Sequence, residues 1–218
     1  MKLKKSGDAS REELARMLVL SEALDEDVCV LLEKGWNITS QRLTICMGFC
    51  KAAAEHAISQ RILIEAGLHG TALSLIRLQF ETVVRAAWVL HGAKDDWLAK
   101  FSAPVPAGDL NEPHLGPPIS SMLDAIAPHA PQAVSEFRRI NMTMKVMHSF
   151  VHGGVHLVVH ALRGYPPENL VAVLQNRNLL SLMLTNVIVI ASQQPELKGT
   201  VGQLGATHAR CMPPQGLG

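Results

Sequence analysis

Residues 70–97 read GTALSLIRLQFETVVRAAWVLHGAKDDW, and the placing of charge within this stretch decides the fold. Leu75, Leu78, Val83 and Trp88 recur at helical spacing, and Leu73, Ile76, Phe80, Val84, Ala86 and Ala87 fill most of the remaining circumference. A helix this apolar on nearly all sides is central, covered by other helices. Arg77, Glu81 and Arg85 stand at successive i, i+4 positions on one stripe of it. On a solvated surface such a ladder contributes only a few tenths of a kcal/mol per pair, so charges on a central helix are expected to be paired inside or to line a cleft.

Helical patterns continue on both sides. Ser10 followed by Glu13 reads as a capping box, with apolar residues at helical spacing from Leu14 to Leu32 ending at Gly35. Asn37 suits the cap of a second helix that stops near Gly67. Downstream, SAPVPAGDLNEPHLGPP, residues 102–118, is too rich in proline for helix and reads as a loop insertion. A short helix follows over Ile119 to Ala127. Pro131 then opens a long helix from Gln132 to about Arg163, and Glu168 to Ser192 supplies a last apolar helix. No strand alternation of useful length is present. The expectation is an all-α bundle of five to six main helices in one domain, residues 10–194, with flexible tails at 1–9 and 195–218.

Composition narrows the function. Hydrophobic residues make up 48% and charged ones 18%, an excess of apolar surface that predicts burial between subunits, hence a homodimer. A net charge of +1 provides no global field for a polyanion, which argues against broad nonspecific DNA binding but leaves room for a local RNA or protein site. Cys29, Cys46, Cys50 and Cys211 lack zinc-type spacing and fit free thiols in a reducing cytoplasm. The first residues show no signal-peptide pattern, and the most apolar run, Leu179 to Ala191, is shorter than the ~20 residues of a membrane span, so a buried helix and no membrane association are expected.

The second informative stretch is HSFVHGGVHLVVH, residues 148–160, with four histidines at steps of four. On one continuous helix each step rises ~6 Å and drifts ~40° round the axis, so the four rings form a slanted stripe ~18 Å long that no single metal ion can span. A His pair at i, i+4 resembles half of a zincin site, but the intervening SFV, GGV and LVV contain no acid, and no metal ligand or cofactor is assigned. Histidine's near-neutral pKa also suits acid/base work, for which His148 and His152 are the candidates. His156 and His160, in an apolar run, read as partly buried structural residues. Gly153-Gly154 costs a helix about 1 kcal/mol per glycine and asks for a close approach or a kink beside His152.

Taken together, RLQFETVVRAAWVLHGAKDDW and MHSFVHGGVH resemble an uncharacterised bacterial all-helical family related to the HEPN-like and AbiV-like group. The resemblance spans residues 67–164. It implies a helical, commonly dimeric bundle with a place among toxin, antitoxin or phage-defence proteins. It carries over Arg77, Glu81, Arg85 and Trp88 from the first motif, and His148, Ser149, His152, Gly153 and Gly154 from the second. The R-x4-6-H motif of active HEPN-like ribonucleases is missing, since Arg138 and Arg139 precede His148 by ten and nine residues. The leading expectation is therefore a non-catalytic helical dimer or interaction module with an Arg/Glu/His pocket. A metal-independent ribonuclease using His148, His152, Arg77 and Glu81, with Arg85, Trp88, Ser149, Gly153 and Gly154 at a ligand, is the alternative. Metal binding through one His pair comes after both.

Overall fold

The computed structural model describes residues 2–34, 36, 38–104 and 116–214, with side chains from Asp8 onward. Among these residues it is all-α. The helices are α1 (Lys2–Glu33), α2 (Gln41–Glu65), α3 (His69–His91), α4 (Asp95–Phe101), α5 (Ile119–Ile126), α6 (Pro131–Val151), α7 (Val155–Arg163), α8 (Pro167–Ser192) and α9 (Thr200–Thr207). Helix α3 is central: it packs against α2, α5, α6 and α8. Ile76, Phe80, Val83 and Val84 of α3 are almost wholly buried, and the Phe80 ring meets Phe137 of α6 edge-on at 6.2 Å. Burying one such side chain stabilises the fold by about 1.5–3 kcal/mol.

Local chemistry sets the boundaries. Ser40 caps α2, its Oγ accepting from the Leu43 amide at 3.3 Å; Asn37, expected in that role, lies outside the described residues, as do Gly35 and most of the proline-rich loop. Gly67, at φ +77°, turns the chain from α2 into α3. Arg42 of α2 reaches the far end of α3, donating to the carbonyls of Val89 (2.6 Å) and Ala93 (2.8 Å) and to Asp95 (2.8 Å). Carbonyls at a helix end have no intrahelical donor, so this arginine fastens α2, α3 and α4 together.

The structure corrects three expectations. Helix α1 runs through Ser10 from Lys2, so there is no capping box, and Glu13 instead pairs with Arg16. The long helix expected from Gln132 to Arg163 is two. Gly153 adopts φ +67°, a conformation side chains disfavour, and the chain bends there into α7. The segment expected as a tail from residue 195 folds onto the bundle. Leu197, Leu204 and Cys211 are buried at seven-residue steps, and His208 Nε2 meets Asp27 of α1 at 2.7 Å. These anchors outweigh the weak helix propensity of Gly199, Gly202 and Gly205. Helix α8 is, by length and composition alone, apolar enough to cross a membrane, but 56% of its apolar window is buried inside the bundle.

Candidate functional site

The i, i+4 spacing on α3 brings Arg77, Glu81 and Arg85 into one ladder. Arg77 Nε donates to Glu81 Oε1 at 2.8 Å, and Arg85 donates to Glu81 Oε2 at 3.3 Å. All three side chains are 22–30% exposed, so the ladder sits at the mouth of a cleft. Helix α6 forms the opposite wall, and the Arg77 guanidinium also bonds Nδ1 of His148. The cleft encloses about 420 Å³, floored by Phe80 and Met144, with Asn141 and Lys145 on its α6 side.

This contact defines the state of His148. A guanidinium has only donors, so Nδ1 must be the accepting, unprotonated nitrogen, and the remaining ring proton belongs on Nε2. Partial desolvation, then the neighbouring His152 and Arg77, hold the His148 imidazole below its usual pKa, while Glu81 pulls the other way. The His148 and His152 rings lie 4.1 Å apart, tilted by 48°. With His148 neutral, Arg77 and Lys145 outnumber Glu81 among the lining residues, and the cleft is positive. That charge suits an anionic group and disfavours a metal cation at His148. Among the described residues no three His, Cys, Asp or Glu side chains are grouped to hold a metal ion.

The remaining predicted residues divide. Ser149, Gly153 and Gly154 build the elbow between α6 and α7. Ser149 Oγ accepts from the His156 amide at 3.0 Å, Gly154 donates to the Ser149 carbonyl at 2.7 Å, and a Cβ on Gly154 would stand 2.5 Å from Ser149 Oγ. Trp88 is away from the cleft, buried in the core with its ring against Trp97 at 4.6 Å. His160 is half-buried, its ring near-parallel to Tyr165 and Nδ1 at 3.2 Å from the Gly164 carbonyl, whereas His156 is exposed because α7 turns it outward. Asn141 and Lys145 escaped the sequence reading, although their spacing of seven and three from His148 puts them on its helix face.

A second polar cluster, also missed, lies in the core. Arg177 of α8 is fully buried and donates to Asp25 of α1, to the Ala57 carbonyl at 3.0 Å and to Asn178 Oδ1 at 2.7 Å. Asp25 also accepts from Arg61 at 2.9 Å. Asn178 donates to Ser21 and to the Cys211 carbonyl, both at 2.9 Å, and Gln79 donates to the Arg177 carbonyl at 3.1 Å. Burial drives the Arg177 pKa down and Asp25 pushes it back up. This network joins α1, α2, α3, α8 and the C-terminal segment.

No curated protein and no solved structure matches the chain. A protein-family model described as Family of unknown function (DUF6988) matches residues 50–214, which include the cleft, the elbow and the folded C-terminal segment.

Proposed function

We propose that this chain, which belongs to the family of unknown function DUF6988, is a non-catalytic helical interaction module that dimerises through its α6–α7 elbow and presents the Arg77–Glu81–His148 cleft beside that contact. The observation that carries the reading is α7 itself. Its sequence VHLVVHALR is strongly amphipathic, yet none of its residues is buried, and Val155 (68%), Val158 (51%) and Leu162 (82%) are exposed. A short helix does not hold an apolar face in water for its own stability, and such faces mark contacts. The helix contains no acidic residue, and its apolar face is complementary to itself, as an isologous two-fold contact requires. Placement in a bacterial defence or toxin–antitoxin type system rests on the motif resemblance alone.

Sedimentation equilibrium on the full chain and on Leu162→Glu tests the dimer. Leu162 is so exposed that the charge leaves the protomer fold intact. The wild type should be dimeric at about 10–100 μM and the variant monomeric, a loss of at least ten-fold in association. A monomeric wild type, or a variant as dimeric as the wild type, contradicts the reading.

A second reading, the HEPN-like metal-independent ribonuclease, is favoured by one observation: Arg77 and His148 line a positive cleft, and the exposed His152 ring stands 4.1 Å from that of His148. In that chemistry one imidazole takes the proton of the attacking hydroxyl, the other protonates the leaving oxygen, and the guanidinium stabilises the phosphoryl charge. Against it, Arg77 is already engaged by both Glu81 and His148, and its guanidinium occupies the basic nitrogen of the histidine that would accept the proton.

A further inference from the structure

A separate cavity of about 280 Å³ lies between α3, α6 and α8, behind the elbow, and Met144 is the lining residue it shares with the charged cleft. Its walls are aliphatic and sulfur-bearing: Leu73 and Ile76 from α3, Met144 and Met147 from α6, Leu170 and Val173 from α8. One end is aromatic. The His160 and Tyr165 rings stand 5.2 Å apart and within 22° of parallel, and Phe150 lies 6.0 Å from His160 at 26°. The chain approaches closely here to hold that end in place, since a Cβ on Gly70 would meet Leu157 at 2.8 Å and the Tyr165 hydroxyl at 2.9 Å.

We propose that this cavity is a binding site for a small uncharged ligand bearing a flat ring and one polar substituent. No Lys, Arg, Asp or Glu side chain lines it, so a charged ligand would lose its hydration without compensation. Near-parallel rings at one end favour a flat ring, by offset stacking or edge contact. Thioethers of Met144 and Met147 add polarisable contacts to an aromatic edge and adapt to its outline. A few polar groups border the apolar walls, as in ligand sites generally: His160 with Nδ1 turned to the Gly164 carbonyl, Tyr165, Asn169, and Asn176 with its amide nitrogen donating to Ala172. Burial raises the Tyr165 pKa, which keeps the phenol protonated as a donor. The volume lies just below the ~300–1,000 Å³ typical of ligand pockets, which limits the ligand to about one fused ring pair.

The test uses the full chain carrying ¹³C-methyl methionine and 2-naphthol as the probe, neutral at about pH 7. Met144 and Met147 methyl resonances should shift saturably, while exposed Met142 and core Met17 stay in place. Ala172→Trp, at an exposed point of the rim, should weaken the titration at least ten-fold without moving the Met17 resonance. Val146→Trp, at another exposed rim position, repeats the block should Ala172→Trp disturb the fold. Non-saturable shifts, shifts at Met142 as large as at Met144, or unchanged affinity in a blocked variant of intact fold would each overturn the site.

Discussion

Two arginines straddle one carboxylate at two places in this molecule, and the two places behave differently. Arg61 and Arg177 hold Asp25 in the core, where Arg177 has no exposed surface and Asp25 only 7%. Arg77 and Arg85 hold Glu81 at a cleft mouth, where the three side chains keep 22–30% of their surface. In the core the three charged groups come from three different helices, so they tie α1, α2 and α8 together. On α3 all three come from one helix at i, i+4, so their mutual pairing joins no two helices, and Arg77 reaches α6 at His148. The same chemistry is architecture where removing it strands a charge away from water, and is available for recognition where water can replace it.

That difference sets the size of each expected effect. Arg177→Met should cost about 3–5 kcal/mol in denaturant unfolding, because Asp25, Asn178 and the Ala57 carbonyl lose a donor where water cannot reach. A variant within about 1 kcal/mol of wild type would erase the distinction between the two sites. Gly153→Ala tests the elbow carrying His148 and should cost about 1–2 kcal/mol, since alanine resists positive φ; an equally stable variant would mean the bend is not fixed there. Glu81→Gln should cost less than ~1 kcal/mol in the same assay, and a loss as large as that of Arg177→Met would make the cleft ladder structural too.

The smallest effect is electrostatic. His148 has a folded pKa below its ordinary 6.5, so the unfolded chain takes up the proton first as pH falls. Stability from this group is full above about pH 6.5 and declines as pH drops through the window below it. Imidazole proton NMR should show His148 titrating below 6.5, and Arg77→Gln should move its midpoint upward. An unchanged or lower midpoint in the variant would place Arg77 outside the histidine's environment.

The sequence carried the surface site further than the core one. Periodicity on residues 70–97 exposes Arg77, Glu81 and Arg85 as one stripe, because i, i+4 neighbours are fixed by helix geometry alone. Gly153-Gly154 shows that something breaks or crowds the helix, but only φ +67° at Gly153 distinguishes a bend from a close approach. The partners of Arg177 are 152 residues away at Asp25 and 120 away at Ala57, and no local pattern encodes such pairings. The lone arginine within the apolar stretch NLVAVLQNRNLLSLML was a legible anomaly nonetheless, since a charge there needs a buried partner. Leu197, Leu204 and Cys211 likewise stood at helical steps within a glycine-rich segment.

The most direct test of the non-catalytic account is cleavage of labelled RNA by the purified chain in the presence of chelator, beside His148→Ala and His152→Ala variants of verified fold. The account predicts no cleavage above a buffer control for any of the three, because Arg77 and His148 are committed to each other. Chelator-resistant cleavage by the wild type that disappears in either variant would contradict it and establish the cleft as a ribonuclease centre.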